Sequence, residues 1–334
     1  MILLGLLIIA IGAFCQSSCY VPINRIRRWS WESYWIVQGF FAWLVLPLAG
    51  ALLAVPEGHS LMQLFTADPR ATLLTIFYGV LWGVGGLTFG LSMRYLGVAL
   101  GQSIALGTCA ALGTILAPIF TGQASSITAA VIIGVIVTLV GIAIIGVAGA
   151  MKASTLSDEE KKKAVKDFNF PKGIAVALLA GFMSACFNIG LYQGAEIKFA
   201  GVNPMFESLP ATFLVTLGGF VTNAIYCFYQ NSRNHTWSDY REGSVWLNNL
   251  LFCLLAGALW YSQFFGLALG KGFLTESPTL FTFAFCILMA LNVVFSNVWG
   301  IILKEWKGCS HKTIAVLVAG IVILIVSSFL PQLI

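Results

Sequence analysis

Charge is what this sequence of 334 residues has least of: only 9% of its side chains are Asp, Glu, Lys or Arg, against 59% apolar. A soluble globule of that length needs far more ionic side chains to cover its surface, so a water-soluble fold is excluded. Histidine is nearly absent as well, and His59, His235 and His311 all fall between apolar runs, which leaves no histidine relay inside one. No Ser/His/Asp set and no cluster at metal-ligand spacing is visible, so the residues give no support to an enzyme or a metal site. The glycines from Gly83 to Gly90 imitate a nucleotide fingerprint, but they lie inside an apolar run with no strand before it. They read as helix packing, as do Gly97, Gly101, Gly107 and Gly113. Cys15, Cys19, Cys109, Cys186, Cys227, Cys253 and Cys286 sit within apolar runs, where thiols act as small hydrophobes rather than as a disulfide framework. The net charge of +5 comes from cations dispersed over short loops, which argues against a nucleic-acid partner.

What is present is a series of apolar runs of 18 or more residues, each long enough to cross a hydrocarbon core of about 30 Å as a helix. Ten are expected, at 2–21, 34–55, 71–91, 96–120, 127–150, 172–195, 204–229, 246–269, 278–303 and 312–333. The run from Met1 to Phe14 lacks a basic leader and is read as the first span. Asn203-Pro204 and Ser277-Pro278 read as helix starts, a capping residue followed by proline at the first helical position. The stretch 151–171, with its run Lys161–Lys163, reads as a cytoplasmic linker between a first half, 1–150, and a second, 172–334. Of the 18 Lys and Arg residues, only Arg70, Lys198 and Lys271 fall in even-numbered loops. The positive-inside bias therefore places the odd loops in the cytoplasm and both termini in the periplasm.

The halves echo one another. Glu32-Ser33 follows Trp31 as Glu207-Ser208 follows Phe206, and Gly79-Val80-Leu81-Trp82 matches Gly257-Ala258-Leu259-Trp260 at nearly the same offset. Each half holds an odd number of spans, so duplicated halves must lie with opposite topology. The expected fold is an all-α membrane protein of ten transmembrane helices in two inverted five-helix repeats, an architecture of transporters.

A sugar site needs flat aromatic faces for the C–H surface of the ring and amides or hydroxyls for its OH groups. Trp260, Tyr261 and Gln263 offer both within one turn, and Trp82 occupies the repeat-related position. Gln102, Asn188, Tyr192 and Asn292 place further polar groups inside spans. The competing reading is that these residues join helices to one another, each interhelical hydrogen bond contributing about 0.6 to 2 kcal/mol. Proton coupling calls for an ionisable group within the membrane. The nearest carboxylates are Glu32, Glu207, Glu276 and Glu305, each at a helix end, where some serve only to complement a helix dipole. Glu305 and Arg94 are a further possible ion pair.

Four stretches carry a family resemblance: CYVPINRIRRWSWES (19–33), LWGVGGLTFGLSMRYLG (81–97), LWYSQFFG (259–266) and IILKEW (301–306). In combination and in this order the chain resembles the L-rhamnose/proton symporter family of the drug/metabolite transporter superfamily. The resemblance implies a ten-helix inverted-repeat fold in a bacterial inner membrane and uptake of L-rhamnose with protons, by alternating access and with no cofactor. Uptake or export of another small metabolite by the same fold is the alternative, and a sensor without flux the rival from another class. The sequence is silent on oligomeric state.

Overall fold

The computed structural model of the chain describes residues 1–96, 98–154 and 169–334. Among these residues every regular element is helical. One helix answers each expected span: α1 (Ile2–Ile23), α2 (Trp31–Leu52), α3 (Pro69–Leu96), α4 (Val98–Phe120), α5 (Ala129–Ser154), α6 (Phe170–Gln193), α7 (Leu209–Asn234), α8 (Gly243–Gly272), α9 (Pro278–Ile302) and α10 (His311–Leu333). A short helix, Leu61–Ala67, lies between α2 and α3 and opens with a capping box of Ser60 and Gln63. Most of the linker, 155–168, lies outside the described residues, as do Gly97 and the side chain of Arg94, and with it the expected pairing to Glu305.

The start of α7 differs from expectation. Asn203 does not cap a helix; its side-chain oxygen accepts from the Met205 amide at 3.0 Å and closes a turn. The helix begins at Leu209 with Pro210 in its first positions, so Glu207 stands ahead of the helix rather than inside it. Asn followed by Pro favours turn initiation as well as a helix start, and here the turn wins.

Two compact units emerge, Met1–Gly83 with Gly190–Thr275, and Val84–Ile189 with Glu276–Ile334. Each draws helices from both halves of the chain, with α3 and α6 changing unit part-way along.

In the first unit α1 runs along α8, and α2 packs against α7 and α8. Small residues permit the closest approaches. A Cβ on Gly79 of α3 would fall 2.1 Å from the Val215 carbonyl oxygen of α7. A Cβ on Gly257 of α8 would meet the Gln38 carbonyl oxygen of α2 at 3.0 Å and the Ala42 amide at 3.1 Å. The stretch before α2 is fixed to the far end of α8: Asn249 accepts from the Arg27 amide at 3.0 Å and donates to its carbonyl at 2.8 Å.

Helix α2 is not regular. Phe40–Val45 forms a π-helical segment, with the Leu46 amide reaching back to the carbonyl of Phe41. The cause lies in the sequence. Pro47 has no amide proton to donate, and its ring would press on the carbonyl four residues back, that of Trp43. Widening the preceding turn relieves that contact without breaking the helix.

In the second unit α5 pairs with α10 and with α4, while α9 packs against all three. Ile142, Ile145, Val293, Leu317 and Leu324 form one buried cluster, and Thr138 donates to Ser327 at 3.0 Å. Helix α9 buries Phe283, Cys286, Ile287 and Leu288, whereas α5 and α10 expose Ile132, Ile136, Val140, Val318, Val322 and Val326. Such continuous exposed apolar surface suits hydrocarbon, not water.

Because a methyl group on Gly79 meets backbone, Gly79→Ala is expected to destabilise the protein by about 1–3 kcal/mol through overpacking. Gly86, with nothing within 4 Å of its Cβ position, provides the control, and Gly86→Ala should leave the melting temperature unchanged or raised. Thermal unfolding of the purified protein in detergent compares the two; equal melting temperatures would remove the close-approach argument.

Candidate functional site

Four tryptophans meet in the first unit. Trp82 of α3 and Trp260 of α8, the pair related by the sequence repeat, lie with ring centroids 5.7 Å apart at 38°. Trp43 of α2 stands nearly perpendicular to both, 6.1 Å from Trp82 at 89° and 5.8 Å from Trp260 at 83°. Trp35 contacts Trp43 edge-on at 5.6 Å, and Phe264 does the same to Trp260 at 5.2 Å. Trp43 is buried, while Trp82 and Trp260 keep part of their surface open. Since aromatic carbons pack at about 3.5–4.0 Å, the space between Trp82 and Trp260 is too narrow for a pyranose. Stacking is available on an outer face of either ring.

Backbone geometry seats these rings. A Cβ on Gly219 of α7 would fall 2.1 Å from the Trp82 ring, and one on Gly39 would fall 2.3 Å from the ring of Trp43, four residues on. The Trp43 side chain leans back over the preceding turn, the direction helical side chains take, and only glycine leaves room for it.

The polar groups around this cluster divide sharply. Trp35 Nε1 donates to Asn223 Oδ1 at 3.0 Å, and Asn223 in turn donates to the Gly219 carbonyl at 2.9 Å. By contrast the Trp43 Nε1, Gln38 Oε1 and Tyr261 hydroxyl are buried with no hydrogen-bond partner among the described residues. Leaving a buried polar group unsatisfied costs about 1–3 kcal/mol, so such groups call for an explanation. The Tyr261 hydroxyl faces the backbone of α2, 2.3 Å from where a Cβ on Gly50 would stand.

The other expected site residues are distributed as follows. Gln263 is buried on α8, its backbone lying against Gly12 of α1, and Tyr192 is buried with the Lys271 ammonium 5.1 Å from its ring centroid. Gln102, Asn188 and Asn292 belong to the second unit. There Asn188 donates to the Gly113 carbonyl at 2.8 Å, tying α6 to α4; Asn292 is buried on α9, and Gln102 is half-buried on α4. Trp43 and Gln38 were not among the sequence candidates, although Pro47 marks the irregular turn beside them.

A scan of protein families matches residues 1–333 to the model described as L-rhamnose-proton symport protein (RhaT). Proteins named L-rhamnose-proton symporter from Yersinia pestis (strain Pestoides F) and Yersinia pseudotuberculosis (serotype O:1b, strain IP 31758) are 31% identical over 342 aligned positions, covering 98% of this chain and 96% of each relative. The chain belongs to the L-rhamnose-proton symport family. It is therefore a transporter rather than an enzyme, and with its ten spans a multi-pass inner-membrane protein.

The carboxylates of this symport-family chain differ in setting. Glu32 is 5% exposed, and its Oε1 accepts from Asn234 Nδ2 at 3.0 Å and from Thr236 Oγ1 at 2.8 Å, joining the start of α2 to the end of α7 and the residues that follow it. Around it Asp239 accepts from the Ser30 amide and hydroxyl at 2.8 Å, and Asn231 donates to Ser33 at 2.9 Å. Tyr240 donates to Asn231 at 3.1 Å, and burial pushes its phenol up to about 12, so it stays a donor at neutral pH. Glu207 pairs with Lys198 at 3.0 Å at the surface, a contact of small energetic weight. Glu276 and Glu305 are exposed, and Glu305 stands in the turn after α9.

Gly219→Ala is expected to displace the Trp82 ring, shifting tryptophan emission of the purified protein while far-UV circular dichroism is retained. An unchanged emission spectrum would show that the ring does not depend on its glycine seat.

Proposed function

We propose that the protein takes up L-rhamnose, or a closely related deoxysugar, together with protons by alternating access. The family and the names of its relatives support the substrate class and the coupling ion, and no cofactor enters the cycle. The observation that carries the reading into this chain is the meeting of Trp82 and Trp260 beside buried, unpartnered polar groups. Sugars are bound by that combination of apolar face and hydrogen-bonding groups.

The repeat organisation, 1–150 and 172–334 joined by 151–171, belongs to the same proposal. Two contacts support it. Gly79 meets α7 at Val215 and Gly257 meets α2 at Gln38; the glycines are 178 residues apart and their partners 177. An inverted repeat of this kind permits two packings of similar free energy, one open to each side. The loop charges support both termini lying in the periplasm. Trp82, Trp260, Tyr261 and Gln263, with Tyr192, Gln102, Asn188 and Asn292, are the proposed substrate-facing set.

For coupling, Glu32 is the strongest of the four carboxylates. It alone among them is buried, and its donors Asn234 and Thr236 are neutral, so a proton arriving there replaces an acceptor with a donor and loosens the join between α2 and the end of α7. Glu207, Glu276 and Glu305 lack such a setting.

The test is uptake of labelled L-rhamnose into proteoliposomes with and without an inward proton gradient, competed by L-fucose, L-lyxose and L-mannose. Gradient-driven, competable accumulation is expected; no accumulation by folded protein would point to another small metabolite. In the same vesicles Glu32→Gln is expected to abolish gradient-driven accumulation while retaining sugar counterflow. Accumulation at the wild-type level in that variant would move the coupling role elsewhere.

A further inference from the structure

The sequence points to Trp82 and Trp260 as sugar platforms, yet two deeply buried polar groups, on Gln38 and Trp43, come from α2. Trp43 is 3% exposed and Gln38 1% exposed. Trp43 Nε1 is a donor and Gln38 Oε1 an acceptor, and neither has a partner among the described residues. Both lie on α2 close to Gly39: the Trp43 indole packs over that residue, and Gln38 precedes it in the chain. Both edges of the arrangement are fixed. The Gln38 backbone is held against Gly257 of α8, and the Trp43 ring is held by its perpendicular contacts with Trp82 and Trp260.

Between them begins the π-helical segment Phe40–Val45. One extra residue in a turn rotates everything beyond it by about 100° relative to an uninterrupted helix. The π segment therefore sets the direction in which Trp43 projects, and such segments recur at functional sites. Packing alone does not account for this arrangement. A phenylalanine would fill the same corner without burying an N–H, and a leucine or methionine would replace Gln38 without burying a carbonyl oxygen.

We propose that the π turn of α2 is the specificity element of the sugar site, with Trp43 Nε1–H donating to one hydroxyl of the sugar and Gln38 Oε1 accepting from another. Trp82 and Trp260 supply the apolar face, and the α2 groups decide which hydroxyl pattern is accepted. The assignment rests on the sugar-transport reading above.

The experiment is equilibrium binding of labelled L-rhamnose to purified wild type, Trp43→Phe and Gln38→Leu, with a panel of monodeoxy analogues as competitors and melting temperatures taken without sugar. Both variants are expected to lose about fivefold to tenfold in affinity for the parent sugar. For each, one analogue should then bind as well as the parent, because the hydroxyl it lacks no longer has a partner. The melting temperature should be unchanged or raised, since an unpartnered buried group has been removed; a purely structural indole would lose stability instead. Wild-type protein that binds no member of the panel would overturn the sugar-transport reading and this assignment with it. Wild type that binds, with variants showing the same affinities and the same analogue pattern, would overturn this assignment alone. If Trp43→Phe fails to fold, the analogue pattern of Gln38→Leu decides: no change at any hydroxyl is the overturning result.

Discussion

Every backbone amide and carbonyl in this chain that lies in hydrocarbon must find its partner within the protein, because no water is available to supply one. That constraint makes each apolar run a helix and leaves few places where the helix can depart from regularity. Pro47 creates one of them. It withdraws a donor from the middle of α2, and the structure answers with the π turn Phe40–Val45 rather than a break. The irregularity carries Trp43 of the Trp43, Trp82 and Trp260 cluster, and three buried polar atoms without partners among the described residues, on Gln38, Trp43 and Tyr261, lie on the two helices that meet there. Each group left unsatisfied costs about 1–3 kcal/mol, so three on two facing helices call for an explanation.

Close backbone approach is the second organising feature. Without a hydrophobic drive between helices in lipid, association depends on contact, and contact depends on small residues. Gly79 and Gly257 bring α3 onto α7 and α8 onto α2, while Gly219 and Gly39 receive the rings of Trp82 and Trp43. The same residue type thus does two jobs. It joins helices, and it orients aromatic faces that would otherwise choose among rotamers. Rings held in this way have little conformational entropy left to lose on meeting a ligand, which is the advantage of preorganisation.

Most of the fold was legible because run length alone identifies spans: each of the ten apolar runs met one helix. The start of α7 was not, since Asn203-Pro204 signals both a cap and a turn, and the choice is made by the Asn203 side chain closing on Met205. The matching stretches Gly79–Trp82 and Gly257–Trp260 pair Trp82 with Trp260 in the sequence, and the two rings meet in the structure. Trp43 was not legible, because it sits in Phe40–Val45, a stretch with no polar residue to draw notice. The available signal was Pro47 four residues later. Burial was illegible in principle: Glu32, Glu207, Glu276 and Glu305 look alike as helix-end acids, and only tertiary contacts separate the buried Glu32 from the paired Glu207 and the exposed two.

The position of Glu32 also bears on how a proton at a helix end can influence a site deep in the membrane. It lies on α2, as Trp43 and Gln38 do, and eleven residues of helix separate Glu32 from Trp43, roughly 16 Å. A rigid rod would transmit a shift at one end to the other undiminished, whereas the π turn Phe40–Val45, which includes Trp43, interrupts the regular helix between them. Hydrogen bonds to a charged carboxylate contribute about 1.5–3 kcal/mol each, so losing one of the two at Glu32 is comparable to the 1–3 kcal/mol typical of coupling between sites. The energy at the loop end of α2 is therefore of the right size to bias the direction in which the π turn presents Trp43. On this reading proton and sugar are coupled along a single helix, and no carboxylate need enter the sugar site itself.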